Sequence, residues 1–261
     1  MAKDKGTLKA YLEYQRDARV QKYKTKGIVV AFDGMPGSGK DFQIDKLEGA
    51  LRKEGARANT FRETSLVKSD ERIAYMEDVR RTGIENPDKS AQLYTEDRIK
   101  AWETYIIPAM KEDGLVLLDR CGYSTLLIQA LTRNINLNNQ KELTSLAEEL
   151  FPEPIIPPHV SFFTICTPEI AYERAKERYE NSRGELTDYF DEVYISHYRM
   201  THSDETASKE KMRMWWLETN KEMYRGLKRA IPNSHLVTTG RKTDKVNPVI
   251  YEITKKLNDN K

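Results

Sequence analysis

The chain has 261 residues, enough for one large domain with a full core, and its 43 Lys and Arg against 41 Asp and Glu leave a formal charge of +2. That balance gives no electrostatic case for nucleic acid or a membrane surface as partner. With 32% charged and 38% hydrophobic residues, the composition excludes a disordered chain and implies charged helix faces over a modest core. Two cysteines, Cys121 and Cys166, make no zinc spacing and suit a reducing compartment. No apolar run reaches signal-peptide length or the roughly 20 residues of a membrane span, so a cytoplasmic protein is expected.

In chain order, residues 1–26 read as a polar helical extension with Leu8, Tyr11 and Leu12 on one side. "GIVVAFD" is a short apolar strand that ends in a glycine-rich turn, and "SGKDFQIDKLEGALRKEG" follows it with Ile44, Leu47 and Leu51 at helical spacing and Gly55 as a stop. Further strands are expected in "RANTF" before Arg62, "GLVLLD" ending at Asp119, "HVSFFTIC" ending at Cys166 and "HLVTT" ending at Thr239. Helices are expected over Glu71 to Arg80, Lys89 to Lys111, Ser124 to Thr132, Lys141 to Leu150, Pro168 to Tyr179 and Asn247 to Leu257. Strands alternating with helices imply an α/β fold, a parallel sheet of about five strands covered on both faces. A long helix within about 205–230 stands outside that rhythm, and its stripe of Met212, Trp216, Thr219, Met223 and Leu227 is expected to pack on the core.

The first turn carries the chemistry. "GMPGSGKD" matches the phosphate-loop pattern G-x-x-x-x-G-K-[ST] through Gly34, Gly39 and Lys40, in the strand, loop, helix setting that the pattern requires. Backbone N–H groups from Gly34 through Gly37, Ser38 and Gly39 to Lys40 would cradle the phosphates of ATP, and Lys40 would bridge the outer ones. Asp41 replaces the usual hydroxyl. Its carboxylate either repels the β-phosphate or holds Mg²⁺, for which oxygen ligands suffice. "GLVLLDR" supplies a second carboxylate, Asp119, at a strand end facing the same metal, followed by Arg120 near the transferring phosphoryl group.

From Gly27 to about His197, and again weakly near Val237, the chain resembles the thymidylate kinases, a family of P-loop nucleoside monophosphate kinases. "FRET", "LYTEDRIKAWETYIIPAM", "LLDRCGYSTLLIQA", "HVSFFTICTPEIAYERAKER" and "RGEL" stand in the order of that family's blocks. The resemblance implies a three-layer P-loop kinase domain over 27–261 with a lid at about 178–188, acting as a possible homodimer on ATP, Mg²⁺ and a nucleoside monophosphate. It implies that Tyr94 stacks on the acceptor base and that Arg98 approaches the base edge, with Thr125 and Gln129 facing it. Arg62 and Arg120 match arginines associated with the acceptor phosphate, and Glu63 follows Arg62 in the same segment.

The chain also departs from that pattern. Pro36 stands where the family often has an acidic residue toward the acceptor sugar, and Gly37 provides no loop arginine. A lid arginine is therefore expected: Arg183, before Gly184, is expected in a loop, whereas Glu173, Glu177 and Glu180 interleave Arg174 and Arg178 as on an ordinary charged face. Animal phosphomevalonate kinases and some phage deoxynucleotide kinases carry the same G-K-D run. The activity expected is phosphoryl transfer from ATP to dTMP or a related deoxynucleotide. Two alternatives share these motifs: a deoxynucleoside kinase, with Glu63 near the place of its base, and a lapsed nucleotide-binding regulatory protein.

Overall fold

The computed structural model describes residues 7–82, 86–112, 114–181, 198, 202, 206–240 and 246–259. Five parallel strands form one sheet: β1 (Ile28–Gly34), β2 (Ala58–Phe61), β3 (Leu115–Asp119), β4 (Val160–Ile165) and β5 (Ser234–Thr238). Their order is β2-β3-β1-β4-β5. Along β1 the side chains alternate between two cores, Val29 and Ala31 facing one and Val30 and Phe32 the other. This is why the strand reads as an unbroken apolar run.

Among the described residues the helices in chain order are α1 (Leu8–Tyr23), α2 (Lys40–Lys53), α3 (Glu63–Leu66), α4 (Asp70–Thr82), α5 (Pro87–Ala101), α6 (Ile107–Lys111), α7 (Gly122–Thr132), α8 (Gln140–Leu150), α9 (Pro168–Asn181), α10 (Lys209–Ala230) and α11 (Pro248–Asp259). Ile44, Leu47 and Leu51 of α2 and Ile250 of α11 pack on the Val30 face, while α1, α7, α8 and α10 contribute to the larger core on the other face. Three layers result. In α1, Leu8 and Leu12 are fully buried and Arg19 donates to Ile155 O, so the N-terminal helix is tied to the body of the domain.

Two expectations need correction. The helix expected over Lys89 to Lys111 is interrupted by a π-turn at Trp102–Ile106, where the Ile107 N–H bonds to Trp102 O. Pro108 follows at once; with no N–H and a ring that crowds the carbonyl four residues back, it disfavours α-geometry there. In α10 the buried stripe is turned from the one expected: Met212, Trp216 and Leu227 are buried, but Asn220 and Tyr224 replace Thr219 and Met223, which are half-buried. Among the described residues no helix is long and apolar enough to cross a membrane.

Candidate active site

Register brings the site together. β1 lies between β3 and β4, with Phe32 opposite Asp119 and Gly34 opposite Thr164, so the loop after β1 opens beside the end of β3. In open α/β sheets the crevice where strand order reverses is where ligands bind. The loop is tightly fitted. Gly37 has φ +73°, and a Cβ there would stand 2.4 Å from Ala171 O; Gly39 has φ +80° and caps α2. Both are left-handed conformations that favour glycine. The Ser38 hydroxyl is turned inward to Thr164 Oγ1 at 2.7 Å, leaving only its backbone for the phosphate side.

Lys40, the first residue of α2, is buried and donates to both carboxylates: to Asp41 Oδ1 at 2.5 Å and to Asp119 Oδ1. Arg62 takes the outer oxygens, with Nε 2.6 Å from Asp119 Oδ2 and Nη2 3.3 Å from Asp41 Oδ2. Two cations and two carboxylates thus form one cluster. Burial, and after it the positive charge of Arg120, pulls the Lys40 ammonium down to about 8.

The donor set decides what metal fits. Among the described residues no group of three or more His, Cys, Asp or Glu could hold an ion. Asp41 and Asp119 are drawn together by the same two cations. Two carboxylates completed by phosphate oxygens and water are what magnesium uses in phosphoryl-transfer sites, so the residues fit that ion.

Arg120 has φ +66°, and its Nη1 lies 3.3 Å from both Gly34 O and Ser124 Oγ. Behind it sits Asp33, fully buried at the end of β1, which accepts from the Ser124 hydroxyl, from Cys121 N–H at 3.2 Å and from Cys121 Sγ at 3.0 Å. Burial raises the Asp33 carboxyl above its ordinary value, against the pull of Ser124 and Arg120. Sequence reasoning passed over Asp33, although a charge inside "VVAFDG" was the available signal.

On the acceptor side, Glu63 and Arg98 form an ion pair with both side chains 1% exposed: Arg98 Nε donates to Oε2 at 2.6 Å, and Trp102 Nε1 donates to Oε1 at 2.6 Å. Burial raises the Glu63 carboxyl and Arg98 opposes it. Arg98 Nη2 donates to Thr125 Oγ1 at 2.9 Å, while Nη1 is buried without a partner among the described residues. Gln129 Nε2 donates to Pro87 O at 2.7 Å, and its Oε1 is likewise unpartnered. Tyr94 is half-buried, and the Arg72 guanidinium lies over its ring, 4.7 Å from the centroid. Arg72 is itself fixed by Asp97 at 2.7 Å, a buried pair that the sequence did not reveal.

The structure therefore brings Lys40, Asp41, Arg62 and Asp119 into one cluster, Arg120 beside the loop, and Glu63, Arg98 and Thr125 into another. Arg183 and the expected lid beyond Asn181 lie outside the described residues. Arg174, on α9, reaches the phosphate loop instead, donating to Gly37 O at 3.0 Å.

A glycine loop after the central strand, a strand-end aspartate beside it and this strand order define a P-loop nucleotide kinase. The sequence model of the thymidylate kinase family matches residues 32–231, a span that takes in α10. The chain is similar to the thymidylate kinase of Caldicellulosiruptor saccharolyticus, 31% identical over 178 residues that cover 65% of this chain and 80% of that one. It is also similar to the thymidylate kinases of a Thermoanaerobacter species, 30% identical over 153 residues (59% and 72% covered), and of Caldanaerobacter subterraneus, 26% identical over 177 residues (67% and 82% covered). The chain belongs to the thymidylate kinase family. It is an ATP-dependent nucleoside monophosphate kinase.

Proposed function

We propose that the acceptor is dTMP and that its base is read between α5 and α7. The observation that carries this reading is the pair of unsatisfied buried atoms, a donor N–H on Arg98 and an acceptor oxygen on Gln129. Buried polar groups left unpaired are costly, so a bound group should complete them. Thymine presents the complement, a carbonyl oxygen next to a ring N–H. Tyr94, stiffened on one face by Arg72, offers its ring for stacking. The engagement of Glu63 by Arg98 and Trp102 supports a phosphate acceptor over a bare hydroxyl, since it leaves that carboxylate no part as a base.

In this reading the loop N–H groups and Lys40 hold the donor phosphates, and Arg62 and Arg120 hold the acceptor phosphate against them. Arg183 is the lid arginine. An acceptor phosphate oxygen attacks the terminal phosphorus of ATP, the bond to the bridging oxygen breaks, and the electron pair leaves with ADP. No side chain need form a bond, because positioning and charge neutralisation carry such transfers. Asp41 and Asp119 would hold magnesium, which when bound would neutralise charge on the phosphates being transferred.

The test compares kcat/KM for dTMP, dUMP, dCMP and dAMP in the native protein and in Gln129→Leu. The proposal expects dTMP and dUMP to lead in the native protein and to lose most in the variant. A native preference for dCMP or dAMP would overturn it.

A further inference from the structure

We infer that Arg72 is a positioning residue for the acceptor base, holding the Tyr94 ring from behind in the plane on which the base stacks. The inference rests on the reading of Tyr94 as the stacking ring. The Arg72 guanidinium lies over that ring, 4.7 Å from its centroid, and covers one face. Tyr94 is only half-buried, so part of the ring stays open to a ligand. A cation against an aromatic face is attracted by the ring quadrupole, more strongly where water is excluded.

Two contacts in turn fix the guanidinium. Nε lies 2.7 Å from Asp97 Oδ2, with both side chains buried, and Nη2 donates to Val67 O at 2.8 Å. Asp97 also accepts the Ser69 N–H, at 3.2 and 3.1 Å to its two oxygens, and the Ser69 hydroxyl accepts the Arg72 N–H at 3.3 Å. The start of α4 is thereby locked to α5 one turn beyond Tyr94. A buried ion pair is weak evidence for stability, because well-packed apolar residues in its place often serve as well. Separate contacts also join α4 to the start of α5: the Tyr75 hydroxyl donates to Asn86 O at 2.9 Å and accepts the Asn86 N–H at 2.8 Å. What the Arg72 pair adds, and an apolar contact would not, is a cation aimed at Tyr94. A ring held in one orientation loses little freedom when the base arrives, so the stack is preorganised by a residue that never touches the acceptor.

The mechanism predicts a binding defect confined to the base. Arg72→Met keeps the packing of the stem and removes the guanidinium. Calorimetry with dTMP should give a dissociation constant raised roughly tenfold, the scale of a desolvated cation–π contact. Deoxyribose phosphate, which has no base to stack, should inhibit within about twofold of its native constant, and MgADP should bind as tightly as before, because neither shares a contact with Arg72. A general loosening of α4 would instead weaken dTMP and deoxyribose phosphate alike. KM for dTMP should rise more than kcat falls. Arg72→Lys, which keeps a cation but not the planar fork, should fall between native and Arg72→Met. Asp97→Asn should act in the same direction. In a Tyr94→Ala background, Arg72→Met should weaken dTMP little further, because its effect passes through the ring.

If Arg72→Met does not fold, Arg72→Lys and Asp97→Asn carry the same test. Unchanged dTMP affinity in folded variants overturns the inference. So does an equal loss for dTMP and deoxyribose phosphate, which would make the pair a brace for α4 alone, and so does full additivity of Arg72→Met with Tyr94→Ala. Tyr94→Ala by itself separates this from the underlying reading. If that variant keeps native dTMP affinity, Tyr94 is not the stacking ring; if it loses affinity while Arg72→Met keeps it, only the role of Arg72 falls.

Discussion

Removing the Asp41 carboxylate tests the metal reading at its least usual residue. Asp41 shares Lys40 and Arg62 with Asp119, and its side chain is 43% exposed. Two unit charges about 4 Å apart interact with roughly 1 kcal/mol in water and roughly 4 kcal/mol at the effective dielectric of a protein surface. A divalent ion doubles either figure, but exposure and the two neighbouring cations reduce it. About 2 kcal/mol is a reasonable net value, equivalent to roughly a thirtyfold change in metal requirement. Asp41→Ala should therefore need about thirty times more Mg²⁺ for half-maximal rate at saturating ATP. Asp41→Thr should recover much of that loss, because the hydroxyl restores the usual ligand. The assay is a magnesium titration of initial rate in the three proteins. A lower requirement in Asp41→Ala, with Asp41→Thr faster than native, would refute the reasoning and mark Asp41 as a source of repulsion.

Three further predictions concern other parts of the molecule. Lys40→Ala should abolish turnover in protein that still folds, and turnover at the native rate would end the P-loop assignment. Tyr94→Ala should raise KM for the acceptor far more than KM for ATP, since a lost base stack is worth about 1–3 kcal/mol, and equal effects on both would indicate packing alone. His159 accepts the Val29 N–H through Nδ1 at 3.0 Å, and burial, with Arg16 next, pulls it down to about 4, with Asp17 opposing. Because the folded value lies below the ordinary 6.5, this contribution is complete above about pH 6.5 and is lost as pH falls toward 4, at up to about 1.4 kcal/mol per pH unit. Urea unfolding of His159→Gln across that range should show a shallower slope, and an unchanged slope would refute the assignment.

The parts legible in the sequence were those where one local rule decided the outcome. β1 could be read because both of its faces are buried, and the helix from Lys40 because Ile44, Leu47 and Leu51 repeat at helical spacing toward one core. The phosphate loop was legible because its glycines meet backbone constraints fixed within eight residues. What escaped depended on partners far apart in the chain. Asp33 gains its meaning from Cys121 and Ser124, and Arg72 from Asp97 and Tyr94. The alternation of acid and base around Arg174 looked like a solvated face, and only the approach of Gly37 and Gly240 reveals its other use. The π-turn escaped because periodicity carries across Pro108, while the proline acts on the hydrogen bonds behind it.

The most direct test of the central claim is to supply ATP and Mg²⁺ with either dTMP or thymidine and to separate the nucleotide products by chromatography. The account predicts dTDP and ADP in equal amounts from dTMP, and no dTMP from thymidine. Formation of dTMP from thymidine, or release of ADP with dTMP left intact, would contradict it.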